Sequence, residues 1–407
     1  MRIFLSRALR AAPHELAALG WAFAYFFLLL CSYYLLRPVR DSLAVGAGTE
    51  ALQWLFTVTF VVMLMLVPAF GWLCSRLARS RLLPAVYAFF ALHLLAFAAE
   101  LNPLAFFVWL SVFNLFVVSV FWSFMSDVFD EAQAARLYGT IAAGGSCGAI
   151  VGPLIAAAIP QARFLLIVSA GLLLATIVCI RALARWSCAY PRAGDPPADA
   201  PIGGSMLAGA RAALTSPFLL AICGYLLCYT ALSTALYFQQ VGIVRDAVPE
   251  ASDRTRLFAS IDAVVNSLTL AIQLLAFSRL APLLGSAGML ALVPLISVAG
   301  FLWLGATPTL AALIVFGVTR RVGEFAVSKP AREALFTVVP REERYKAKNF
   351  IDTVVYRGGD MLAGWAFAGV SAFLAAAVSL VWTGLALFLG ARMKKSWTRN
   401  AARSSPL

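Results

Sequence analysis

The sequence predicts an all-α membrane protein with twelve transmembrane helices in two pseudo-symmetric six-helix halves. Composition is the first observation: 62% of the 407 residues are hydrophobic and 13% are charged, whereas soluble domains carry about 25% charged residues. Apolar runs of about 18 residues or more, long enough to cross a hydrocarbon layer of about 30 Å, recur from end to end. The basic residues fall between these runs. Because backbone inside a bilayer must satisfy its own hydrogen bonds, each run is predicted to be helical.

We place the spans from the apolar runs and from the charged residues that bound them. Of the 32 Lys and Arg residues, 25 fall in alternate connections or the span ends beside them, six fall in or beside the other connections, and Arg357 lies within a span. The positive-inside rule then predicts that both termini are cytoplasmic, which requires an even number of spans. We expect a multi-pass protein of the bacterial inner membrane, surrounded by membrane lipids. The predicted spans are 15–36, 51–74, 82–100, 103–126, 139–160, 163–185, 217–240, 257–277, 281–304, 308–328, 350–370 and 372–391.

The longest connection divides the helices six and six. Residues 187–216 are rich in Pro, Gly and Ser and are predicted to form a flexible cytoplasmic linker. The predicted domains are therefore an N-terminal bundle at 1–186 and, after the linker, a C-terminal bundle with a cytoplasmic tail at 217–407. Val39-Arg40-Asp41 near span 1 recurs as Val244-Arg245-Asp246 after span 7, which favours a duplicated six-helix unit.

Several classes of protein are excluded by what the sequence contains. The net charge of +13 is not concentrated in one block, so nucleic acid is not an expected partner. Two histidines and seven scattered cysteines argue against a metal site, and no cofactor is expected. No G-x-x-x-x-G-K-[ST] loop is present, which argues against an ATP-driven pump, and no catalytic grouping supports an enzyme.

The connection between spans 2 and 3 carries a recognisable loop. The stretch from Gly71 to Arg81, which includes Arg76, resembles the G-x-L-x-D-R-x-G-R-R loop of the major facilitator superfamily, with Ser75 in place of the acid and Ala78 in place of the second glycine. The resemblance implies a gating role for Arg76. It also implies two six-helix halves with a substrate site between them at the midplane of the membrane.

Three further stretches resemble one branch of that superfamily, the ATP/ADP translocase-like nucleotide exchangers. Tyr34–Leu43 resembles Y-x-I-L-R-x-x-K-D-x-L, and Phe121–Phe124 with Glu131–Gly139 resembles F-W-G-F and E-E-A-K-R-F-Y. The stretch from Ala331 to Asp352 resembles T-K-E-M…P…K-G-K-A-A-V-D. The resemblance implies exchange of ATP, ADP or another nucleotide. It also favours a role in gating or substrate capture for Lys346 and Lys348, which would otherwise be assigned to a solvated cytoplasmic helix.

The chain departs from that branch at positions that bear on the substrate. Arg40 stands where the family has a lysine, and Leu110 stands where nucleotide exchangers have an acid in helix 4. The resemblance therefore supports the branch more strongly than it supports a particular substrate.

Charged side chains inside spans cost about 2.5–3.5 kcal/mol each on insertion scales, so they usually face protein or a water-filled cavity. One interpretation is a basic cavity for an anionic substrate, because arginine forks suit phosphate and carboxylate groups. The substrate-binding candidates are the polar residues within or at the ends of the spans: Arg37, Arg40, Asn114, Asp262, Arg320, Arg321, Glu324, Asp352, Tyr356 and Arg357.

The alternative interpretation is internal pairing. Arg320 and Glu324 are four residues apart, and Arg357 and Asp360 are three apart, so each pair can form along its helix. Asp262 and Asp352 are open to three roles: carrying a coupling proton, pairing with a cavity arginine, or capping a water-filled space.

Small and amide residues mark further packing positions. Gly144, Gly148 and Gly152 recur every four residues in span 5, so a partner helix is predicted to approach closely. We expect that partner to come from the other half. The pattern also resembles the superfamily's antiporter signature, although tight packing alone explains it. Asn266 and Gln273 share a face of span 8 and favour interhelical packing over substrate contact.

Three functions remain open from the sequence. The first is exchange or symport of an anionic, nucleotide-like or otherwise phosphorylated metabolite by alternating access. The second is a facilitator-fold exporter or flippase of an amphipathic compound or lipid. The third is a membrane scaffold without flux, against which the charges inside the spans argue.

Overall fold

The computed structural model describes residues 12–76, 79–190, 214–336, 350–366 and 369–404. These residues form twelve helices, and no strand occurs among them. Two helices, α10 and α11, contain a π turn, which is a single turn with i to i+5 hydrogen bonds. The helices are α1 Leu16–Ala47, α2 Thr49–Arg76, α3 Arg79–Ala99, α4 Pro103–Val128, α5 Glu131–Ala158, α6 Ala162–Ala189, α7 Pro217–Ala247, α8 Ala251–Leu275, α9 Phe277–Ala306, α10 Leu310–Gly323 continuing through Glu324–Ser328 and Lys329–Leu335, α11 Ile351–Val355 continuing as Tyr356–Ala366, and α12 Ala372–Ser404.

These helices match the twelve predicted spans in order. Within the described part of the chain, nine of them contain a stretch long and apolar enough to cross a membrane. The other three are α3, whose apolar stretch Leu83–Ala99 is shorter, and the two helices with π turns. The chain is therefore an all-α membrane protein of the predicted class.

Helix ends follow the local sequence. Asn102 accepts hydrogen bonds from the N–H groups of Leu104 and Ala105, with Pro103 at the first position of α4. Asp130 and Gln133 form a reciprocal capping box at the start of α5. These caps satisfy N–H groups that have no partner inside the helix.

Helix α1 is longer than predicted. It continues past Arg37 and Arg40 and ends at Ala47, so both arginines lie within the helix and not at its outer end. Gly48 follows with φ 83°, a left-handed conformation that glycine adopts without steric cost at a helix C-terminus. The helix continues beyond the apolar run because the polar side chains of its last turns have partners within the protein.

The described residues form two compact units, each of which includes a segment from the other half of the sequence. Unit 1 comprises residues 1–47, 61–201 and 248–266, and unit 2 comprises residues 48–60, 202–247 and 267–407. The division into bundles at 1–186 and 217–407 stays a prediction.

In unit 1, α1 packs against α4, α5 and α6. The rings of Phe26 and Phe121 stack at 4.2 Å between centroids. Ser32 and Ser169 join α1 to α6 through a buried hydroxyl pair at 2.6 Å. Because this polar pair is satisfied within the bundle, it adds specificity to an otherwise apolar interface.

The glycine stripe of α5 packs against α1. A Cβ at Gly148 would collide with the carbonyl of Phe27, and one at Gly152 would lie 2.7 Å from the carbonyl oxygen of Cys31. Gly144 faces Phe23 in the same way. The expectation that Gly148 and Gly152 face a helix of the other half is therefore wrong, because spacing identifies a close contact but not the helix that makes it.

In unit 2, α9 packs against α12, and α7 packs against α11 and α12. Trp382 is fully buried, and its ring lies 5.3 Å from that of Tyr225. Tyr225 donates to the carbonyl oxygen of Leu290 at 3.1 Å. These contacts hold α7, α9 and α12 around the charged part of α10.

Candidate functional site

The π turn of α10 sets the geometry of its charged residues. Eight residues of regular α-helix exceed two turns by about 80°. One π turn of about 4.4 residues followed by one α turn instead returns the eighth residue to the same face. Glu324 and Arg332 are eight residues apart across this turn, and Arg332 Nη1 lies 3.1 Å from Glu324 Oε1. The π turn therefore creates an ion pair that a regular helix would not form.

Pro330 also shapes this part of α10. In the π turn the N–H of Lys329 donates to the carbonyl of Glu324. The next bond in that register would reach Phe325, but Pro330 has no N–H to donate. Gln273 of α8 supplies the missing donor, with Nε2 3.1 Å from the carbonyl oxygen of Phe325. Such substitution by a neighbouring helix is what allows a proline inside a membrane helix.

Arg320 is buried, with 4% of its surface exposed. Its guanidinium donates to Ser297 Oγ at 3.2 Å and to Ser233 Oγ at 2.8 Å. A longer bond, at 3.4 Å, reaches the carbonyl oxygen of Tyr229. All of these partners are neutral. Glu324 is bonded to Arg332, so the pairing of Arg320 with Glu324 expected from their spacing is replaced by one between Arg332 and Glu324.

Arg320, Glu324 and Arg332 form what we call the charge trio. Tyr229 of α7 contacts both arginines, with their Cζ atoms 5.3 and 5.9 Å from its ring centroid. The trio carries two positive charges and one negative charge, so its formal sum is +1. In a site shielded from water, this surplus favours an anion.

Tyr356 and Arg357 of α11 lie beside the trio. The Tyr356 ring is 6.0 Å from that of Tyr229, and the Cζ atom of Arg357 is 5.6 Å from the Tyr356 ring centroid. Arg357 Nη1 is 3.6 Å from Asp360 Oδ2, as the internal-pairing interpretation expects. Arg321 is half-buried on α10. Of the predicted residues of α10 and α11, unit 2 therefore places Tyr356 and Arg357 close to Arg320 and Glu324.

The polar residues of α1 form a second group, in unit 1. Arg37 Nη1 lies 3.3 Å from Asp262 Oδ1 of α8, and Asp262 is 2% exposed. Arg40 donates to Asp41 Oδ1 through Nε at 3.0 Å and Nη2 at 2.7 Å, and its Cζ atom is 5.2 Å from the Phe107 ring centroid. These arginines have carboxylate partners, unlike Arg320.

The first part of α8 joins α1 and α5 through further bonds within unit 1. Ser42 Oγ donates to the carbonyl of Ala251 at 2.9 Å, and Asn266 Nδ2 donates to the carbonyl of Ala149 at 2.7 Å. The packing interpretation of Asn266 and Gln273 thus agrees with their bonds to backbone carbonyls of neighbouring helices.

The family profile of the Major Facilitator Superfamily matches residues 16–359, most of the chain. The chain belongs to the Major Facilitator Superfamily. It is a membrane transporter and not an enzyme. No curated protein matches its sequence.

Solved structures of other superfamily transporters share the fold. The nucleoside transporter NupG has a TM-score of 0.57 at 13% identity, covering 95% of this chain and 99% of that chain. A bacterial homolog of the human lysosomal transporter Spinster, inward-facing and unoccupied, has a TM-score of 0.59 at 14% identity and covers 96% of both chains. The human organic anion transporter MFSD10 has a TM-score of 0.56 at 16% identity, with 94% and 100% covered. At these identities the similarity shows the fold alone.

The structure does not describe the side chains of some residues that the sequence predicts for substrate binding or gating. Lys346 and Lys348 lie outside the described residues. Arg76 and Asp352 lie in described helices, but their side chains are outside the described part. Asn114 is half-buried on α4.

Sequence reasoning missed several residues of the unit 2 site: Arg332, Tyr229, Ser233 and Ser297. Sequence reasoning did not pair Arg332 with Glu324 because the pairing rules for regular helices consider residues three and four apart. Pro330, two residues before Arg332, was the available signal of an irregular turn. The two serines come from other helices, and no sequence signal places them beside Arg320.

Glu15, just before α1, forms a network that the sequence analysis also missed. It is 3% exposed and accepts from both Nη atoms of Arg136, at 3.2 and 3.1 Å, and from Gln133 Nε2 at 2.9 Å. Burial alone would raise the pKa of Glu15, but the hydrogen bonds from Arg136, the Ala12 N–H and Gln133 together lower it. These hydrogen bonds connect the residue before α1 to the first turns of α5.

We expect replacement of Glu15 by glutamine to destabilise the protein at neutral pH by about 1–2 kcal/mol, because a charge-assisted bond to a partly exposed arginine is lost. A lowered pKa means that the stabilisation is present above the ordinary glutamate pKa of 4.5 and is lost as pH falls through the folded-state pKa. Thermal unfolding of wild type and E15Q across this range measures the effect. A difference that does not shrink in acid would contradict it.

The Arg37–Asp262 pair predicts coupling between α1 and α8. In a double-mutant cycle of R37Q, D262N and the double variant, we expect a coupling of about 0.5–3 kcal/mol, because the single changes leave a buried partner behind. The measurement is thermal unfolding in detergent. The neighbouring pair R37Q with S42A, which share no bond, is the control, and equal coupling in both cycles would refute the expectation.

Proposed function

We propose that this transporter moves a small anionic, nucleotide-like or otherwise phosphorylated metabolite by alternating access, as an exchanger or a symporter. The observation that carries the proposal is buried Arg320, whose described partners are neutral, in a trio with a surplus of one positive charge. Two buried cations beside a single acid are costly, and a substrate phosphate or carboxylate supplies the second negative charge. Arginine also offers the planar fork that such groups bind.

Nucleotides are the first substrates to test. The resemblance of Tyr34–Leu43 and of the stretch from Ala331 to Asp352 to ATP/ADP translocases supports them. NupG is named as a nucleoside transporter and MFSD10 as an organic anion transporter, and both classes belong in the same screen. Tyr229 and Tyr356 offer rings beside the arginines, and aromatic rings stack with bases.

The experiment is a thermal-shift screen of purified protein against ATP, ADP, other phosphates, organic acids, nucleosides and amphipathic compounds, followed by uptake into liposomes. Stabilisation and uptake of a phosphorylated anion support the proposal. Stabilisation by amphipathic compounds alone, with flux of those compounds, favours the exporter or flippase function.

We also propose a bacterial inner-membrane location with both termini cytoplasmic, supported by the distribution of 25 and six basic residues. Single cysteines at Ser405 and at Ala208 in a cysteine-free background are expected to resist membrane-impermeant thiol reagents in intact cells and to react after lysis. Labelling of either position from outside would overturn this topology.

A further inference from the structure

One oxygen of the charge trio's acid lacks a protein partner. Glu324 is 3% exposed and its Oε1 accepts from Arg332, but no described group hydrogen-bonds to Oε2. A buried polar atom without a partner costs about 1–3 kcal/mol, and more when charged. A proton bound at Oε2 would neutralise Glu324 and so lower the cost of leaving this buried oxygen without a partner.

The surroundings of Glu324 contain few titratable groups. Those of α10 are Arg320, Arg332 and Lys329, and those of the packed helices are tyrosines, two on α7 and one on α11. The residues of α9 and α8 that reach this part of α10, such as Ser297 and Gln273, do not titrate. Asp360 of α11, which pairs with Arg357, also interacts with Tyr356 and is a second acid of this surrounding.

We propose that Glu324 binds a proton at Oε2 when an anion binds Arg320 and Arg332, so that anion and proton move together. The inference rests on the proposed function and deepens it by assigning the coupling residue. An O–H bond forms with a proton taken from the solution to which the site is open, and it breaks on the other side of the membrane. Because linkage is reciprocal, anion and proton each raise the affinity for the other by the same factor.

Charge balance favours this assignment. With Glu324 ionised the trio carries +1, and with Glu324 neutral it carries +2, which a doubly charged phosphate group balances. Asp262 and Asp360 differ because each shares an ion pair with one arginine, Arg37 and Arg357 respectively. The trio holds two arginines beside one acid, so an anion can bind one arginine while the other stays paired with Glu324.

The test measures proton uptake when ADP is added to purified protein in weakly buffered detergent solution with a pH-indicator dye. At about pH 8, where the phosphate groups of ADP are already ionised, we expect about one proton taken up per bound ADP in wild type and none in E324Q. The variant D360N, which neutralises the neighbouring acid of α11, is the matched control and is expected to retain the uptake. Infrared difference spectra of the protein with and without inorganic phosphate, from about pH 5 to about pH 9, provide a second readout, a carboxylic-acid band that phosphate induces and that E324Q lacks.

The outcomes separate the inference from the proposed function. ADP binding without proton uptake overturns the inference and leaves the anion transporter intact. Loss of uptake in D360N with retention in E324Q also overturns it. If ADP does not bind, nucleotide transport fails, and the phosphate-induced infrared band decides the inference: its appearance in wild type but not in E324Q supports proton binding at Glu324, and its absence across the range refutes it.

Discussion

ADP binding is expected to weaken about 10- to 150-fold when Arg320 is replaced by glutamine, because a charge-assisted contact contributes about 1.5–3 kcal/mol. Glutamine retains a donor for Ser233 or Ser297 but removes the positive charge. Glu324 keeps its bond to Arg332, so the variant leaves no unpaired acid behind. Binding affinity on folded, monodisperse protein is the measurement.

Two further variants make the Arg320 result specific. Lysine at this position restores charge without the planar fork and is expected to recover part of the affinity. Arg392 of α12 also lies over an aromatic ring, with its Cζ 5.4 Å from the Phe388 centroid, but it is exposed. R392Q is therefore the matched control and should bind ADP like wild type. If R320Q also binds ADP like wild type, the trio is not an anion site and the amphipathic exporter becomes the stronger hypothesis.

The fold could be predicted because its causes are spread along the whole chain. Apolar length and the bilayer's demand for internal hydrogen bonding specify helices without knowledge of their neighbours. The same reasoning underestimated α1, because polar residues such as Arg37 and Asp41 appear to end an apolar run when read singly. Asp41 is bonded to the adjacent Arg40, but Asp262, the partner of Arg37, lies more than two hundred residues away.

The site was predictable as a set of residues but not as a set of contacts. Charges within spans directed attention to α10 and α11, where Arg320 lies over Tyr229 and Arg357 lies over Tyr356. The predicted pairing of Glu324 with Arg320 was wrong because one extra residue in a π turn rotates the following residues of the helix by about 100°. Rules based on regular spacing cannot anticipate that rotation.

The glycine stripe shows the same distinction between a feature and its partner. The four-residue spacing predicted a close helix contact, and α5 makes one with α1. Nothing in the spacing separates a neighbour in the same half from one in the other half. The link from α5 to α8 is made by Asn266 and the carbonyl of Ala149, which the glycines do not mark.

Replacement of Gly148 by leucine is expected to remove most of the folded protein. A new Cβ would collide with the Phe27 carbonyl, and it would lie 2.9 Å from the Cys31 nitrogen. Overpacking a side-chain core costs about 1–3 kcal/mol, but these neighbours are backbone atoms that cannot change rotamer, so α1 and α5 must separate and we expect a larger loss.

Gly139 supplies the matched control for this change, because it lies on the same helix and a Cβ there meets nothing within 4 Å. The yield of monodisperse protein and the midpoint of thermal unfolding are compared for wild type, G148L and G139L. We expect G139L to resemble wild type and G148L to aggregate or unfold at a much lower temperature. Since leucine favours helices over glycine at both positions, helix propensity cannot account for a loss in G148L alone. Equal stability of the two variants would mean that α1 and α5 do not approach each other at Gly148, and the packing of α1 in unit 1 would have to be assigned to its contacts with α4 and α6.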